Sequence, residues 1–127
     1  MVPSSIKLKK NSRCLELGYQ EASGVVLYEL PFEFLRVYSP SAEVRGHGVG
    51  NEKLQHGKKD VGILNIEPSG NYALKIIFDD GHDSGLYDWK YLYKLCQEQE
   101  TMWKQYLVKL DEAGLARESN VIQFKSL

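Results

Sequence analysis

Apolar and polar residues alternate along Ile6-Lys7-Leu8-Lys9 and again along Cys14-Leu15-Glu16-Leu17, with the turn formers Asn11 and Ser12 between them. A period of two on either side of a turn predicts a β-hairpin with one wet face. After Ala22-Ser23-Gly24, the β-branched and aromatic run Val25 to Leu30 predicts a third strand, which Pro31 ends. Proline is tolerated in a helix's first turn, and Phe32, Leu35 and Arg36 follow at helical spacing, so a short helix is expected over Phe32 to Val37. From Ser39 to Asp60 the apolar period disappears among Gly46, Gly48, Gly50 and Gly57, which predicts a long irregular connection of the kind that often carries function. Two further strands, Val61 to Glu67 and Tyr72 to Phe78, are read as the centre of the sheet, and the turn signal Asp79-Asp80-Gly81 leads into a short returning strand at Gly85 to Tyr87. Asp88 then caps an amphipathic helix of about 22 residues, roughly 33 Å long at 1.5 Å per residue, with Gly114 as its stop. Val121 to Phe124 reads either as an edge strand or as part of a loose tail over 115–127. The expected fold is α+β: a small, mostly antiparallel sheet with one short helix and one long C-terminal amphipathic helix packed on it.

Composition narrows the classes of function. At 127 residues and 43% hydrophobic content, the chain is expected to form one domain over 1–127, with a core that needs neither disulfides nor a structural metal. Sixteen Lys and Arg against 17 Asp and Glu give a net charge of −1, so no large positive field exists to gather nucleic acid or anionic lipid. No apolar run approaches a membrane span, and Met1 to Ser5 is too short and polar for a signal peptide, so a cytoplasmic protein is expected. Cys14 and Cys96 lie far apart and show no paired metal-ligand spacing.

The densest polar cluster is Asp79-Asp80-Gly81-His82-Asp83-Ser84. Imidazole and carboxylates are ordinary ligands of divalent ions, which makes His82, Asp80 and Asp83 candidate metal ligands. The preferred alternative is that an Asp-Gly turn merely suits the backbone and projects its side chains into solvent. His47 and His56 fall among the glycines, yet Glu52 stands where a phosphate-binding loop needs glycine, and Lys59 where it needs a hydroxyl. Neither a nucleophile elbow nor the His-x-Asp/Glu pair of an iron oxygenase occurs, since Val49, Lys58 and Ser84 stand two residues after the three histidines. No catalytic residue is assigned, and a non-enzymatic chain is expected.

Three ordered runs carry a resemblance: Leu35 to Val44 with Gly46-His47-Gly48, Ile66-Glu67-Pro68 with Gly70-Asn71-Tyr72-Ala73, and Phe78 to Gly85 leading into Trp89. Together they resemble the gamma-butyrobetaine hydroxylase-like N-terminal domain family, in the form of its short stand-alone bacterial members. The resemblance implies a small α+β module that, in hydroxylases, precedes the oxygenase barrel and binds zinc through three cysteines and one histidine. His82 lies at the position of that histidine, but the cysteine positions fall at Ser39, Ser41 and Val44. No zinc and no other cofactor are therefore expected; any divalent ion held at His82, Asp80 and Asp83 would be weak and oxygen-rich in ligation. The domain also resembles a segment appended to P-loop ATPases that carry iron-sulfur clusters, which implies an accessory role in cluster assembly or delivery with such an ATPase as partner. A component of a 2-oxoglutarate-dependent oxygenase system is the less favoured implication. The expected function is a binding or adaptor module with a protein partner, whose face comprises Arg36, Ser39, Ser41, Glu43, Arg45, His47, Asn71 and His82.

Overall fold

The computed structural model describes residues 1–46 and 52–119. The first thirty residues form the expected meander: β1 (Ser5–Lys9), β2 (Cys14–Glu21) and β3 (Gly24–Pro31) pair antiparallel in that order, with Leu17 opposite both Ile6 and Tyr28. Period-two alternation sends Leu15, Leu17 and Tyr19 to the interior, while Lys9 bridges Glu16 and Glu29 on the outer face. β3 passes into α1 (Phe32–Val37) without a loop, because Pro31 is extended in its backbone and serves as the N-cap.

The later strands do not join this sheet. β4 (Ile63–Ser69), β5 (Ala73–Phe78) and β6 (Leu86–Asp88) make a second three-stranded antiparallel sheet with β5 in the middle. The expected single sheet centred on β4 and β5 is thus two sheets facing one core. β4 is an edge strand, which is why Pro68 is tolerated in it and why its register slips between Ile63 and Asn65.

Asp88 ends β6 and caps α3 (Trp89–Ala113), its carboxylate accepting from the Tyr91 amide at 2.7 Å. Gly114 closes the helix in a left-handed conformation at φ 67°. Leu92, Leu95, Cys96, Met102, Tyr106 and Leu110 form the buried stripe of α3, which packs on β3 of one sheet and β6 of the other. One cluster of buried side chains therefore joins Leu15 and Leu30, Leu74 and Ile76, Phe34 and Leu35, and Leu92 and Leu95. No helix among the described residues is long and apolar enough to cross a membrane.

Two segments differ from expectation. The connection after Ser39 contains a further one-turn helix, α2 (Ala42–Arg45), started by the Ser41 hydroxyl accepting from the Glu43 amide. Residues 115–119, expected in a loose tail or beside an edge strand, are tied down: the Gly57 and Lys59 amides donate to the Ala116 and Arg117 carbonyls, and Arg117 grips the buried Glu33 with both ends of its guanidinium. Val121 to Phe124 lie outside the described residues.

Replacing the α3 cap, Asp88→Ala, removes a single charge-assisted hydrogen bond at a helix end. Urea denaturation should show a loss of about 1 kcal/mol with an unchanged slope.

Candidate functional site

Tyrosine hydroxyls fix the chain as it leaves α1. The final carbonyls of a helix lack intrahelical partners, and Tyr87 donates to Leu35 at 2.5 Å while Tyr91 donates to Tyr38 at 2.6 Å. Tyr38 in turn donates to the Met102 carbonyl of α3 at 2.7 Å. Ser39 is thereby delivered to the interior, 1% exposed, and Ser41 beside it is 4% exposed.

Opposite them lies the β5–β6 hairpin. Its turn closes with Gly81 at φ 87° and with the Asp80 carboxylate accepting from the His82 amide at 3.2 Å, a local bond that Asp readily makes two residues ahead. The turn does not project into solvent as a whole. Asp79 and Asp83 do, but His82 folds inward to 5% exposure against the Phe78 ring. The reason is supplied from outside the hairpin: Arg36 of α1 is 7% exposed and needs a carboxylate, and its Nε donates to Asp80 at 2.9 Å. Lys58 adds a second contact to the same Asp80 oxygen at 2.7 Å, and Arg36 also donates to Gln55 at 3.1 Å.

His82 then joins the two walls. Its Nδ1 faces Glu43 at 3.2 Å and its Nε2 faces the Ser39 hydroxyl at 2.7 Å. A carboxylate only accepts, so the proton sits on Nδ1 and Nε2 accepts from Ser39. The Ser39 oxygen accepts in turn from the Ser41 amide at 3.3 Å, and the Ser41 and Ser84 hydroxyls meet at 2.7 Å. Gly85 is required here, because a Cβ on it would collide with the Ser39 hydroxyl and come within 3.2 Å of Pro40.

Burial, and secondarily the Arg36 charge, hold the His82 imidazole below its ordinary pKa against the opposing pull of Glu43. For Asp80 burial acts upward, but hydrogen bonds from Lys58 and Arg36 outweigh it and carry the carboxyl below its ordinary value. The site at neutral pH therefore contains a neutral imidazole and an ionised, doubly paired Asp80. Burial raises both Cys14 and Cys96 to about 11, so neither thiol is a ready nucleophile or soft ligand.

Serine, imidazole and carboxylate stand in the order of a hydrolytic relay, but Ser39 is 1% exposed and its hydroxyl is already bonded to His82 and the Ser41 amide. The zinc set that the resemblance implies fits poorly. Ser39 and Ser41 offer neutral hydroxyls already engaged in hydrogen bonds, Val44 offers hydrocarbon, and the His82 lone pair is taken. Among the described residues no three His, Cys, Asp or Glu side chains gather as a metal-holding group, and Asp80 directs its carboxylate at Arg36 and Lys58.

Of the residues expected on a partner-binding face, Ser39, Ser41, Glu43 and His82 form one network and Arg36 braces it from below. Of these five, only Glu43, with 71% of its side chain exposed, presents a large polar surface. Arg45 stacks over the Tyr91 ring at 4.7 Å, on the side of α2 toward α3. Asn71 belongs to the opposite end of β5, roughly 20 Å away along the strand, where its carbonyl accepts from the Trp89 indole. His47 lies outside the described residues. Sequence reading missed Lys58 and Ser84 as members of the network. Ser84 was visible within the polar hairpin, whereas Lys58 carries no local signal.

The model of the family described as "Gamma-butyrobetaine hydroxylase-like, N-terminal" matches residues 6–93. The chain belongs to this family. Two solution NMR structures are similar to this member: one is 48% identical, with 99% of this chain and 97% of that chain covered at a TM-score of 0.79, and the other is 44% identical, with 98% and 93% covered at 0.76. A crystal structure from Acidithiobacillus ferrooxidans ATCC 23270, described as a protein with unknown function of the DUF971 family, is 33% identical over 73% of this chain and 90% of that chain, with a TM-score of 0.58. Comparison with curated proteins gives no match. In this family member the polar network begins in α1 and ends in the hairpin, all within the matched segment.

Two variants test the network. Asp80→Asn leaves Arg36 buried without a countercharge; because Asp80 keeps 22% of its side chain exposed, the loss should be about 2–3 kcal/mol by urea denaturation rather than the larger cost of a wholly buried pair. The pH dependence follows from His82: the unfolded chain binds its proton more readily than the folded one, so its contribution is present above about pH 6.5 and is lost as the pH falls through the lower folded value. Stability measured from pH 7 down to pH 5 should fall more steeply for the wild type than for His82→Asn.

Proposed function

We propose that this protein is a non-enzymatic binding or adaptor module of the cytoplasm, whose recognition face combines the Ser39 to Asp60 connection with the Asp79 to Ser84 hairpin. The observation that carries this reading is the hydrogen-bonded union of segments far apart in sequence: Arg36 and Lys58 on Asp80, Ser39 and Glu43 on His82, and Ser41 on Ser84. Such a network holds the described ends of the connection against the hairpin before a partner arrives, which lowers the ordering cost of binding. The enclosed Ser39 hydroxyl and protonated thiols give a reaction little to work with, which favours recognition over chemistry.

The family resemblance adds an accessory part in iron-sulfur cluster assembly or delivery, with an ATPase as the partner class. Cys14 and Cys96 lie on β2 and α3, so the adaptor would contact a cluster carrier rather than hold the cluster. A divalent-ion site at His82, Asp80 and Asp83 is the competing reading, and it would require Asp80 to release Arg36 and Lys58.

Immobilised wild type, Glu43→Lys and His82→Asn should be compared for capture from native cytosol, with folding checked by circular dichroism and bound metal by elemental analysis. Both variants should remain folded and lose captured protein by severalfold. Equal capture by all three would remove the recognition face, and a stoichiometric divalent ion in the wild type, lost in His82→Asn, would favour the metal site.

A further inference from the structure

Next to the His82 network, with Ser39 in its lining, a cleft of about 830 Å³ opens between the Ser39 connection and α3. That volume is in the range of ligand-binding clefts. Its floor is apolar, from Val37, Val44, Leu54, Met102 and the Tyr106 ring, whose hydroxyl is occupied by the Gln55 carbonyl at 2.9 Å. Its rim is cationic: Arg45, Lys53, Lys94 and Lys109 line it against a single acid, Glu52.

This concentration runs against the chain as a whole, whose net charge is −1. Among the described residues none of the four rim cations is ion-paired, a state they share with Lys7, Lys10, Lys75 and Lys90, but only at the cleft do four such cations line one cavity. Arg45 is held in place by the Tyr91 ring, and the Lys53 amide donates to the Val44 carbonyl at 2.7 Å, fixing the backbone on both sides of the cleft. Four cations with no carboxylate partner among the described residues, set around an apolar floor, are complementary to an anion with an apolar body.

The spread of charge selects the kind of anion. Lys94 and Lys109 are fifteen positions apart on α3, about 22 Å along its axis at 1.5 Å per residue. A single carboxylate or phosphate head cannot answer charges so far apart, whereas an extended peptide of about seven residues spans that length. We propose that the cleft is a docking groove for an acidic peptide segment with an apolar anchor: the anchor seats on Val44, Leu54 and Met102, and flanking Glu or Asp side chains meet Lys53, Lys94 and Lys109. This inference rests on the adaptor reading and names the partner's chemistry, but it places the contact beside the hairpin face.

The test is a titration of the ¹⁵N-labelled full chain with a synthetic seven-residue peptide in which Glu and Asp surround a Leu-Phe pair. Amide shifts are expected at Val44, Arg45, Lys53 and Leu54. Lys53→Glu combined with Lys109→Glu should weaken binding about tenfold, as two reversed surface pairs imply, and added salt should weaken the wild type. The same peptide with Lys in place of Glu and Asp, and octanoate alone, serve as controls. No shift at millimolar peptide, equal binding of the lysine peptide, or equal shifts with octanoate would each overturn the inference. Should the peptide fail while Glu43→Lys still abolishes capture from cytosol, the groove alone falls; should the peptide bind while capture ignores Glu43 and His82, the hairpin face alone falls.

Discussion

A guanidinium cannot be buried without a countercharge, and the placement of Arg36 makes that constraint govern the functional end of the molecule. α1 is covered on every side, so Arg36 has little access to water. Its partner must come from elsewhere, and Asp80 arrives from the β5–β6 turn. Once Asp80 is held, its other oxygen receives the His82 amide and the imidazole turns inward to meet Ser39 and Glu43. Lys58 reaches the same carboxylate and fastens the end of the long connection. The ion pair thus contributes arrangement as well as stability: it is the point at which α1, the connection and the hairpin become one surface. Pairs of this kind often add little net stability over a hydrophobic substitute, so its structural value here lies in specifying one arrangement.

The rest of the scaffold supplies a fixed frame for that pair. α3 touches both sheets, and hydroxyls from Tyr38, Tyr87, Tyr91 and Tyr106 each donate to a backbone carbonyl, three of which lie at the end of α1 or in the connection, where regular structure leaves them open. These contacts link α1 and the connection to α3 and β6, while the rings that carry the hydroxyls pack in or against the apolar core. They also account for these hydroxyls, which are bonded to backbone carbonyls rather than left unpaired in the interior.

Local patterning made much of this fold legible. Period-two alternation located β1 to β3, Pro31 marked the change to α1, and Asp88 and Gly114 bracketed α3, because each of these signals acts through neighbouring residues. The split into two sheets was not legible, since pairing between strands is a non-local choice and no pattern within β4 or β5 states which sheet it joins. α2 is a single turn and leaves no apolar period to detect. Part of the site could be read as well. The polar run around His82 and the positions Ser39 and Ser41 were visible, and the family motifs joined them. What no local signal gave was the burial of His82, which depends on Arg36 more than forty positions away, or the attachment of residues 115–119 through the Arg117 to Glu33 pair.

Amide hydrogen exchange in Arg36→Met measures the central claim most directly, because methionine keeps the bulk of the stem but removes the charge that recruits Asp80. Protection at His82 and Ser41 should drop sharply in this variant, while the amides pairing β2 with β3 exchange as slowly as in the wild type. Unchanged protection at His82 would contradict the account, since the hairpin would then be held against α1 without the ion pair.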